Sequence, residues 1–460
     1  MQPPGEIFKS YDIRGTYPDQ LNEKNVVAIT KAIYKFLLET SGKEALTIAV
    51  GRDMRLSSPA LFKSISETLI ALGAEVIDLG IVSTPTFYYA VFKNKYDGGI
   101  QITASHNPKE YNGLKIVKYS PTGLIKIGKS TGMDLIKQFS LQEIKLDQST
   151  TGSIIKKEGV LEQEVVDILN MVSNPKIKEF KIVADPANAL GALYIEELFK
   201  HIPGKLIKMN FELDGTFPAH QADPLQPETL VDLQKRVVTE NADLGLAPDG
   251  DGDRLFFIDE KGQIVPPSII TALVAKELLK KHKGERILVD IRYILTPKKI
   301  VEEYEGVFEI TKVGHAFITE RLNQTGAIFA GESSAHYFFR ETGNAESQLP
   351  IILIVLKVLT EENKAFSEVI ENLRRSHESG EINFKTSNAK NIIDILKKEF
   401  KVGELSTLDG IAVTFPDWRF SVRTSNTEPL LRLNIEGDNP DIVQQKKEEI
   451  VALIEKHSQT

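Results

Sequence analysis

The chain has 460 residues, of which 41% are hydrophobic, so it is long enough to hold three or four domains with buried cores. Its 56 basic and 64 acidic residues give a net charge of −8, with both signs spread along the sequence, which argues against a general nucleic-acid binder because such a protein needs a basic surface. There is no cysteine, which excludes disulfides, thiolate catalysis and thiolate metal ligands.

The beginning of the sequence, MQPPGEIFKSYDIRG, lacks the basic segment and apolar core of a secretory signal. The most apolar run, residues 349–359, is too short to span a bilayer and contains Lys357. We therefore expect a cytoplasmic protein without nucleic-acid or membrane partners.

The first predicted α/β unit starts with a strand over residues 45–50 and a polar loop, GRDMRLSSP. A helix follows over residues 60–73, where apolar residues recur at helical spacing and Gly73 ends the pattern. Strands are predicted over residues 74–80 and 98–102. The last of these strands leads directly into TASHNP, residues 103–108.

The same order of elements recurs twice. The second unit has predicted strands over residues 181–185, 205–210 and 242–247, a helix over 190–202, and the loop PDGDGDR at its end. The third unit has predicted strands over residues 286–290, 307–312 and 326–330, a helix over 296–304, and the loop GESSAH at its end. In open α/β sheets, ligands bind beyond the carboxyl ends of the strands, so the three loops are predicted to form one composite site. The alternative is that α/β proteins repeat this order without a shared site.

The last part of the chain has a different pattern. Strands are predicted over residues 381–387, 410–415, 419–425 and 430–437, with helices over 389–400 and 440–457. Successive strands flanked by helices indicate an antiparallel α+β domain. Its loop RTSNTEP, residues 423–429, combines a guanidinium with hydroxyl and amide groups, which suits a phosphate.

The loop DGDGDR places Asp249, Asp251 and Asp253 at alternate positions with glycines between them. Three carboxylates so close together repel one another unless a cation neutralises them, which predicts a Mg²⁺-type site. An EF-hand is disfavoured because Arg254 stands where that loop needs glycine and because the apolar residues 255–258 indicate a strand. A solvated acidic turn is the remaining alternative.

Ser105 alone is weak evidence, because loop serines mostly cap or solubilise. Ser105 does not lie in a G-x-S-x-G elbow, and His106 is adjacent in sequence, so an ordinary triad hydrolase is disfavoured. A serine that carries a phosphoryl group needs a nearby cation, which the aspartate loop would supply. Lys115 in YNGLKI is either a solvated lysine or a cation near that phosphoserine, and Arg14 in YDIRG is either a surface arginine or a phosphate clamp.

Two further loops offer polar groups. In GESSAH, Glu332, Ser334 and His336 follow a predicted buried strand, and a carboxylate with small polar groups suits sugar hydroxyls. In KVGHAF, Lys312 and His315 are available, although a lone histidine is more often structural.

Taken together, the motifs YDIRG, GRDMRLSSP, TASHNP with NGLK, DGDGDR, KVGH, GESSAH and RTSNTEP resemble those of the α-D-phosphohexomutase family, in its phosphomannomutase/phosphoglucomutase group. They occur in the family order and span nearly all of the chain. The resemblance implies four domains around one central cleft, three related mixed α/β domains and a C-terminal α+β domain like the TATA-binding protein. We place them at residues 1–150, 151–255, 256–370 and 371–460.

The resemblance also implies residue roles. Ser105 would be the phosphoserine, and Asp249, Asp251 and Asp253 would hold Mg²⁺ with it. The implied catalytic groups around the phosphoryl group are Arg14, His106, Lys115, Arg254 and His315, with Lys115 and His315 as proton-transfer groups. Implied contacts to the sugar phosphate come from Tyr11, Arg292, Lys312, Gly314, Glu332, Ser334, His336, Arg423, Ser425, Asn426 and Thr427, and the residues from Arg423 onward would hold the phosphate that does not react.

The sequence departs from the family pattern at two places. Arg292 stands where the family often has a lysine that contacts substrate, and the two side chains are not interchangeable. In the sugar loop, Ser333 and Ala335 replace the methionine and glycine usual in mannose/glucose enzymes, and phosphoglucosamine mutases usually have glutamine at 333. RTSNTEP fits the mannose/glucose group better than the glucosamine group.

The expected activity is reversible conversion between hexose 1-phosphate and hexose 6-phosphate through phospho-Ser105, with a hexose 1,6-bisphosphate as intermediate and primer. Phosphoglucosamine mutase is the nearest alternative. A Mg²⁺-dependent sugar-phosphate phosphohydrolase and a non-catalytic sugar-phosphate sensor are alternatives from other classes. The expected partner is a hexose phosphate, and the expected state is a monomer or weak dimer.

Overall fold

A computed structural model describes residues 2–144, 151–424 and 430–458. The chain divides into two compact units, unit 1 (Met1–Val265 and Ser334–Val369) and unit 2 (Pro266–Ser333 and Ile370–Thr460). Across the described ranges, none of the helices is both long enough and apolar enough to cross a membrane.

The first part of unit 1 is built on a seven-stranded mixed sheet. Its elements are β1 (Ile13–Thr16), α1 (Glu23–Ser41), β2 (Thr47–Arg52), α2 (Ser58–Ala71), β3 (Glu75–Ile81), α3 (Thr84–Asn94), β4 (Gly98–Ile102), β5 (Tyr111–Lys118), β6 (Ile125–Lys126), α4 (Met133–Ser140) and β7 (Ser153–Lys156). The order is β1-β5-β4-β2-β3-β7, with β6 beside β5. β2 is parallel to β3 and β4, whereas β5 is antiparallel to β1 and β4.

Local sequence explains where the helices of this part begin. Asn22 and Asn25 form a reciprocal capping box at the start of α1, which satisfies amide groups that the first helical turn leaves open. Ser83 caps α3 by accepting the N–H of Thr86. With α3 fixed in this way, its first residue, Thr84, reaches the aspartate loop described below.

The second part of unit 1 is a five-stranded sheet in the order β12-β11-β10-β8-β9. Its elements are α5 (Val160–Met171), β8 (Lys181–Ala184), α6 (Gly191–Leu198), β9 (Lys205–Lys208), α7 (Val231–Glu240), β10 (Leu244–Pro248), β11 (Leu255–Asp259) and β12 (Ile264–Val265). β8 is parallel to β9 and β10, and β10 is antiparallel to β11. The turn between β10 and β11 is the predicted metal loop.

Unit 2 begins with a parallel sheet in which β13 lies between β14 and β15. The elements are α8 (Pro267–Lys281), β13 (Arg286–Asp290), α9 (Leu295–Glu303), β14 (Val307–Thr311), α10 (His315–Thr325) and β15 (Phe329–Gly331). The chain then returns to unit 1 for an antiparallel hairpin and a buried helix, which are β16 (Tyr337–Phe339), β17 (Ala345–Glu346) and α11 (Leu349–Glu362).

The C-terminal part of unit 2 is the predicted antiparallel α+β domain. The chain leaves unit 1 within α12 (Phe366–Leu373). The elements that follow are β18 (His377–Glu378), β19 (Ile382–Lys385), α13 (Ala389–Glu399), β20 (Glu404–Ser406), β21 (Ile411–Thr414), β22 (Trp418–Thr424), β23 (Leu430–Gly437) and α14 (Pro440–Ser458). The strand order is β18-β23-β22-β21-β20, with β19 also on β23. Aromatic packing closes the core, with Phe400 edge-on to Trp418 and Phe420.

One carboxyl group is buried without a charged partner among the described residues. Glu164, in α5, is 2% exposed, and its Oε2 has no hydrogen-bond partner within the described residues. Burial raises the pKa of Glu164 to about 7, and a hydrogen bond with Thr86 opposes that shift only partly. In the unfolded chain a glutamate titrates near pH 4.3, so the native state retains a proton that the unfolded state has lost.

Replacement of Glu164 by glutamine should therefore stabilise the protein relative to wild type as pH rises. Below pH ~4 both states are protonated and the carboxyl adds no pH dependence, whereas between pH ~4.3 and about 7 the wild type loses ~1.4 kcal/mol per pH unit. We expect the difference in free energy of unfolding between Glu164→Gln and wild type to grow across this window and to level off above it. Denaturant unfolding between pH 4 and 8 measures it. Glu162→Gln, an exposed change in the same helix, is the control, and parallel curves for Glu164→Gln and wild type would contradict the assignment.

Candidate active site

Ser105 stands three residues beyond the end of β4, in the loop that leads to β5. It is 4% exposed and has φ +51°, in the left-handed region that residues other than glycine rarely adopt. Its backbone N–H donates to Thr103 Oγ1 over 2.9 Å. Its Oγ lies 3.2 Å from Asp249 Oδ2 and 3.0 Å from His106 Nδ1. Because His106 is adjacent to Ser105 in sequence, it was expected to be an awkward general base for this serine. The two side chains nevertheless contact each other directly, with the backbone of Ser105 in the left-handed conformation.

Asp249, Asp251 and Asp253 are all buried on the turn after β10. One carboxylate oxygen of each lies within 4.8 Å of the others, so the alternate spacing in the sequence does bring the three groups together. Gly252, between two of them, has φ +77°, which explains why a residue without Cβ stands there. The three charges would repel one another strongly in a buried site, so positive groups must lie close by.

Lys115, on β5, supplies one such positive group. It is 4% exposed, and its Nζ lies 2.5 Å from Asp251 Oδ2 and 2.5 Å from Asp253 Oδ2. Thr84, at the start of α3, donates its hydroxyl to the same Asp251 oxygen over 2.6 Å. The solvated reading of Lys115 is therefore wrong, and the structure brings this lysine to the aspartate loop.

The pKa values reflect this arrangement. Burial raises the pKa of Asp249 well above its ordinary value, and the carboxylates of Asp253 and Asp251 raise it further. Burial also opposes ionisation of Asp253, but Lys115 and His336 outweigh it and hold the pKa of Asp253 well below its ordinary value. For Lys115 burial alone would lower the pKa, yet Asp251 and Asp253 reverse the shift and hold it well above its ordinary value.

The donor set fits a hard divalent cation. Carboxylate oxygens are the ligands that Mg²⁺ and Ca²⁺ prefer, and Asp251 Oδ1 is buried without a hydrogen-bond partner among the described residues. Ser105 Oγ is close enough to Asp249 to join the same coordination sphere. A serine hydroxyl beside a carboxylate triad and a buried lysine is suited to metal-assisted phosphoryl transfer.

Other predicted residues of unit 1 lie around this centre. Arg254 Nε is 3.8 Å from Asp249 Oδ2 and 3.4 Å from His336 Nε2, and its backbone N–H donates to Asp249 Oδ1 over 3.1 Å. His336 Nε2 is 3.3 Å from Asp253 Oδ1, and its Nδ1 is 2.9 Å from Ser334 Oγ.

The N-terminal motif also meets this loop. Arg14, on β1, donates to Asn107 Oδ1 in the serine loop and to Asp12. Tyr11, just before β1, is half-buried. Burial lowers the pKa of His106 well below its ordinary value, and the cations Arg254 and Arg14 lower it further, so the imidazole is neutral.

Unit 2 contains a second group of predicted residues. Glu332 accepts the backbone N–H of Gly314 over 2.9 Å, and Arg292 NH2 lies 3.3 Å from the same Glu332 oxygen. Arg292 also donates from Nε to Asp290 Oδ1 over 3.0 Å. Burial alone would lower the pKa of Arg292, but Asp290 and Glu332 reverse the shift and raise it above its ordinary value. The arginine at this position is therefore held in place by two carboxylates.

Arg423, at the end of β22, is buried and lies in a cluster of guanidinium groups. The carboxylate of Glu381 approaches Arg423 NH2 at 3.6 Å, Arg432 NH1 at 3.3 Å and Arg292 NH1 at 4.0 Å. Burial lowers the pKa of Arg423, and the positive charge of Arg292 lowers it further. Such a concentration of positive charge suits a phosphate group.

Two further predicted residues, Lys312 and His315, lie between the end of β14 and the start of α10. Lys312 is exposed, with its Nζ 5.6 Å from the centre of the Phe317 ring, and His315 is the first residue of α10, next to Gly314. Ser425, Asn426 and Thr427 lie outside the described residues. Their predicted phosphate contacts, like the other residue roles, stay predictions.

Sequence reasoning assigned no role to several residues at these clusters. Arg55 holds the serine loop, Thr84 bonds the metal loop, Asp223 pairs with Arg254, and Glu381 lies among the arginines. Only Arg55 was within a motif already noted, GRDMRLSSP. The others have no local signal, because each becomes important through a partner distant in sequence.

Four family models cover nearly all of the chain. They describe the phosphoglucomutase/phosphomannomutase alpha/beta/alpha domains I, II and III, over residues 5–145, 162–262 and 266–376, and the C-terminal domain over residues 381–453. A curated relative, a phosphomannomutase of Vibrio cholerae, is 37% identical over 459 residues, which is 98% of this chain and 98% of the relative.

Solved structures agree. A phosphoglucomutase/phosphomannomutase family protein of Burkholderia thailandensis is 29% identical with a TM-score of 0.86, covering 99% of this chain and 98% of that one. An N-acetylphosphoglucosamine mutase of Aspergillus fumigatus, solved in complex with glucose 1,6-bisphosphate, shares the fold with a TM-score of 0.61 at 13% identity, over 100% and 97% of the two chains.

The chain therefore belongs to the phosphoglucomutase/phosphomannomutase family of phosphohexomutases. The family assignment confirms the resemblance, the four-domain α/β fold class and a mutase function. It favours an enzyme over a sugar-phosphate sensor, and a mutase over a phosphohydrolase.

Replacement of Asp251 by asparagine should weaken divalent-cation binding, because it removes one of three charges from the triad and the partner of Lys115 and Thr84. We expect the Kd for Mg²⁺, measured by calorimetry, to rise by at least about tenfold, the lower end of the loss seen even for residues that only support metal ligands. The matched control is Asp259→Asn, a buried carboxylate on the far end of β11 that accepts only backbone N–H groups. An unchanged Kd in Asp251→Asn would place the cation elsewhere.

Proposed function

We propose that the protein interconverts the 1-phosphates and 6-phosphates of mannose and glucose, with Ser105 as the residue that carries the phosphoryl group. The observation that supports this most directly is the position of Ser105 Oγ, 3.2 Å from a carboxylate of a buried triad that fits a divalent cation. A phosphoryl group on this oxygen would meet cations on several sides.

The reaction has two transfers. In the first, the bond from phosphorus to Ser105 Oγ breaks, a bond forms from phosphorus to the free hydroxyl of the hexose monophosphate, that hydroxyl loses its proton, and Ser105 Oγ gains one. The product is a hexose 1,6-bisphosphate. In the second transfer the bond from the other phosphate to the sugar breaks, Ser105 Oγ loses its proton as it binds that phosphorus, and the sugar oxygen gains a proton. A hexose 1,6-bisphosphate added as primer would phosphorylate unmodified Ser105 by the same second step.

Mg²⁺ held by Asp249, Asp251, Asp253 and Ser105 Oγ would neutralise charge on the transferring group. Phosphoryl transfer depends mostly on positioning and on charge stabilisation. Lys115 and Arg254 add fixed positive charge at this place, and Arg14 is tied to the serine loop through Asn107. The residues of unit 1 therefore support the transfer chemistry itself.

Proton transfer needs groups that can gain or lose a proton near the sugar hydroxyl. The family resemblance assigns this to Lys115 and His315. For Lys115 the contacts with Asp251 and Asp253 favour the charged form, which would place a fixed positive charge beside a leaving oxygen.

The residues of unit 2 suit recognition of the sugar phosphate. Arg423, with Ser425, Asn426 and Thr427, would hold the phosphate that does not react, and the guanidinium group of Arg432 lies beside the same Glu381 carboxylate. Glu332, fixed by Gly314 N–H, would read sugar hydroxyls, and Ser334 and His336, which belong to unit 1, are proposed as further contacts. Tyr11, Lys312 and Arg292 complete the proposed set.

Replacement of Ser105 by alanine tests the proposal. After incubation with glucose 1,6-bisphosphate and Mg²⁺, the intact mass of the wild-type protein should rise by one phosphoryl group, and that of Ser105→Ala should not. Mutase activity should fall by several orders of magnitude, as it does when other covalent-catalysis nucleophiles are removed.

The matched control is Ser140→Ala, because Ser140 is a buried serine whose hydroxyl bonds only within α4. It should be phosphorylated and active like the wild type. A fully active Ser105→Ala variant would refute the phosphoserine, and release of free phosphate as the main reaction would favour a phosphohydrolase.

The sugar preference follows from the turnover of the intermediate. A half-turn of the sugar about an axis that crosses the C3–C4 bond at its midpoint exchanges O3 with O4. Both oxygens are equatorial in mannose and glucose, so one carboxylate such as Glu332 can bind the pair in either orientation. C2, where the two sugars differ, exchanges with C5, so a tight pocket around it would obstruct one orientation. The small side chains of Ser333 and Ala335 leave little bulk to reject an axial hydroxyl.

We therefore expect the kcat/KM values for mannose 1-phosphate and glucose 1-phosphate to lie within about 100-fold of each other, because a roomy site discriminates such changes weakly. Galactose 1-phosphate, with an axial O4, should be much poorer. A coupled assay with these sugars and with glucosamine 6-phosphate measures the preference. Galactose accepted as well as glucose would contradict the role of Glu332, and a clear preference for glucosamine 6-phosphate would indicate a phosphoglucosamine mutase.

A further inference from the structure

Among the described residues, Arg55 is the least exposed arginine that contacts the serine loop. It follows β2 in the motif GRDMRLSSP, and its side chain has 0% exposure. Its Nε donates to Asp53 Oδ2 over 3.0 Å, which balances its charge. The ring of Phe217 covers the guanidinium, with its centre 5.0 Å from Cζ. Because it is sealed in this way, Arg55 has no surface with which to touch a substrate.

The other N–H groups of Arg55 all point at one segment of backbone. NH2 donates to the carbonyls of Ser105 and Asn107 over 2.9 and 2.6 Å, and NH1 donates to those of Pro108 and Tyr111 over 2.7 and 3.0 Å. Together with Nε, all five N–H donors of the guanidinium are used. Four of them hold the loop that contains the proposed nucleophile.

This loop needs an external constraint because Ser105 has φ +51°. Residues other than glycine keep such a conformation only where the surroundings fix it, and these conformations concentrate at functional sites. The carbonyl of Ser105 is fixed from two sides. Arg55 donates to it, and the backbone of Gly250 approaches it so closely that a Cβ there would lie 2.4 Å away.

We propose that Arg55 is a positioning residue for phosphoryl transfer, which holds the carbonyls of residues 105, 107, 108 and 111 and so directs Ser105 Oγ toward Asp249. The inference rests on the proposed function of Ser105 as phosphoryl carrier. Lysine could balance the charge of Asp53, but its single ammonium group cannot donate along the four directions that the planar guanidinium serves.

The test is Arg55→Lys, with Arg52→Lys as the matched control. Arg52 is at the end of β2, pairs with Asp78 and packs on Phe62, and among the described residues its side chain makes no hydrogen bond to the serine loop. In Arg55→Lys we expect kcat to fall on the order of 100-fold, the loss that a misplacement of about 1 Å can cause, with KM for hexose phosphate nearly unchanged. The rate at which glucose 1,6-bisphosphate phosphorylates Ser105, followed by quenched intact mass, should fall by the same factor.

The affinity for Mg²⁺ should fall far less than kcat, because the three carboxylates of the aspartate loop keep their places and Arg55 makes no hydrogen bond to that loop within the described part of the chain. A variant that only loses thermal stability, with kcat and phosphorylation rate per folded molecule unchanged, would overturn the proposal. If wild-type Ser105 takes up no phosphoryl group at all, it is the proposed function that fails, and the two failures are thus distinguishable.

Should Arg55→Lys not fold, the double variant Asp53→Asn/Arg55→Met replaces it. Both charges are then removed together, so no buried ion is left without its partner, and such replacements by groups of similar volume are often neutral for stability. The four carbonyl bonds are still lost, so the same fall in kcat and in phosphorylation rate is expected. Wild-type rates in a folded double variant would overturn the proposal.

Discussion

The dominant constraint on unit 1 is the burial of three like charges. Asp249, Asp251 and Asp253 are almost inaccessible to water, and a buried ionised carboxylate costs far more than one hydrogen bond can return. The neighbouring elements each bring a compensating group. β5 brings Lys115, and α3 brings the Thr84 hydroxyl. Arg254 directly follows the three aspartates in the loop before β11. The position of these elements therefore follows from one electrostatic requirement as much as from packing.

The predicted phosphate-binding residues of unit 2 lie instead among guanidinium groups. Arg423, Arg432 and Arg292 all approach the carboxylate of Glu381, at 3.6, 3.3 and 4.0 Å. Arg292 differs from this pattern, because Asp290 and Glu332 also pair with it. A lysine at this position could not serve two carboxylates with a fixed planar geometry, so the arginine changes how Glu332 is held rather than merely conserving a positive charge.

Regular elements with a simple hydrophobic pattern could be predicted from the sequence. The strands at residues 98–102, 286–290 and 430–437 have the predicted bounds, and the helix predicted over 60–73 is observed at Ser58–Ala71 because Pro59 is tolerated in its first turn. Strand β5 was not predicted, because Asn112 and Lys115 are buried polar residues that break the apolar pattern. Their burial depends on partners more than 50 residues away in sequence, which local patterns do not reveal. The three aspartates and Ser105 had a local signature and Arg55 lay within a noted motif, whereas Thr84 and Glu381 had no local signal.

The close approach of Gly250 to Ser105 has a consequence for motion. With the two backbones in direct contact, the serine loop and the aspartate loop have no room to slide past each other, and Arg55 restrains the serine loop from its other side. We therefore expect the two loops to move together rather than independently. With Ser105 as the proposed phosphoryl carrier and the aspartates as the proposed metal ligands, the distance between them would then stay the same while a bound intermediate exchanges its two phosphates.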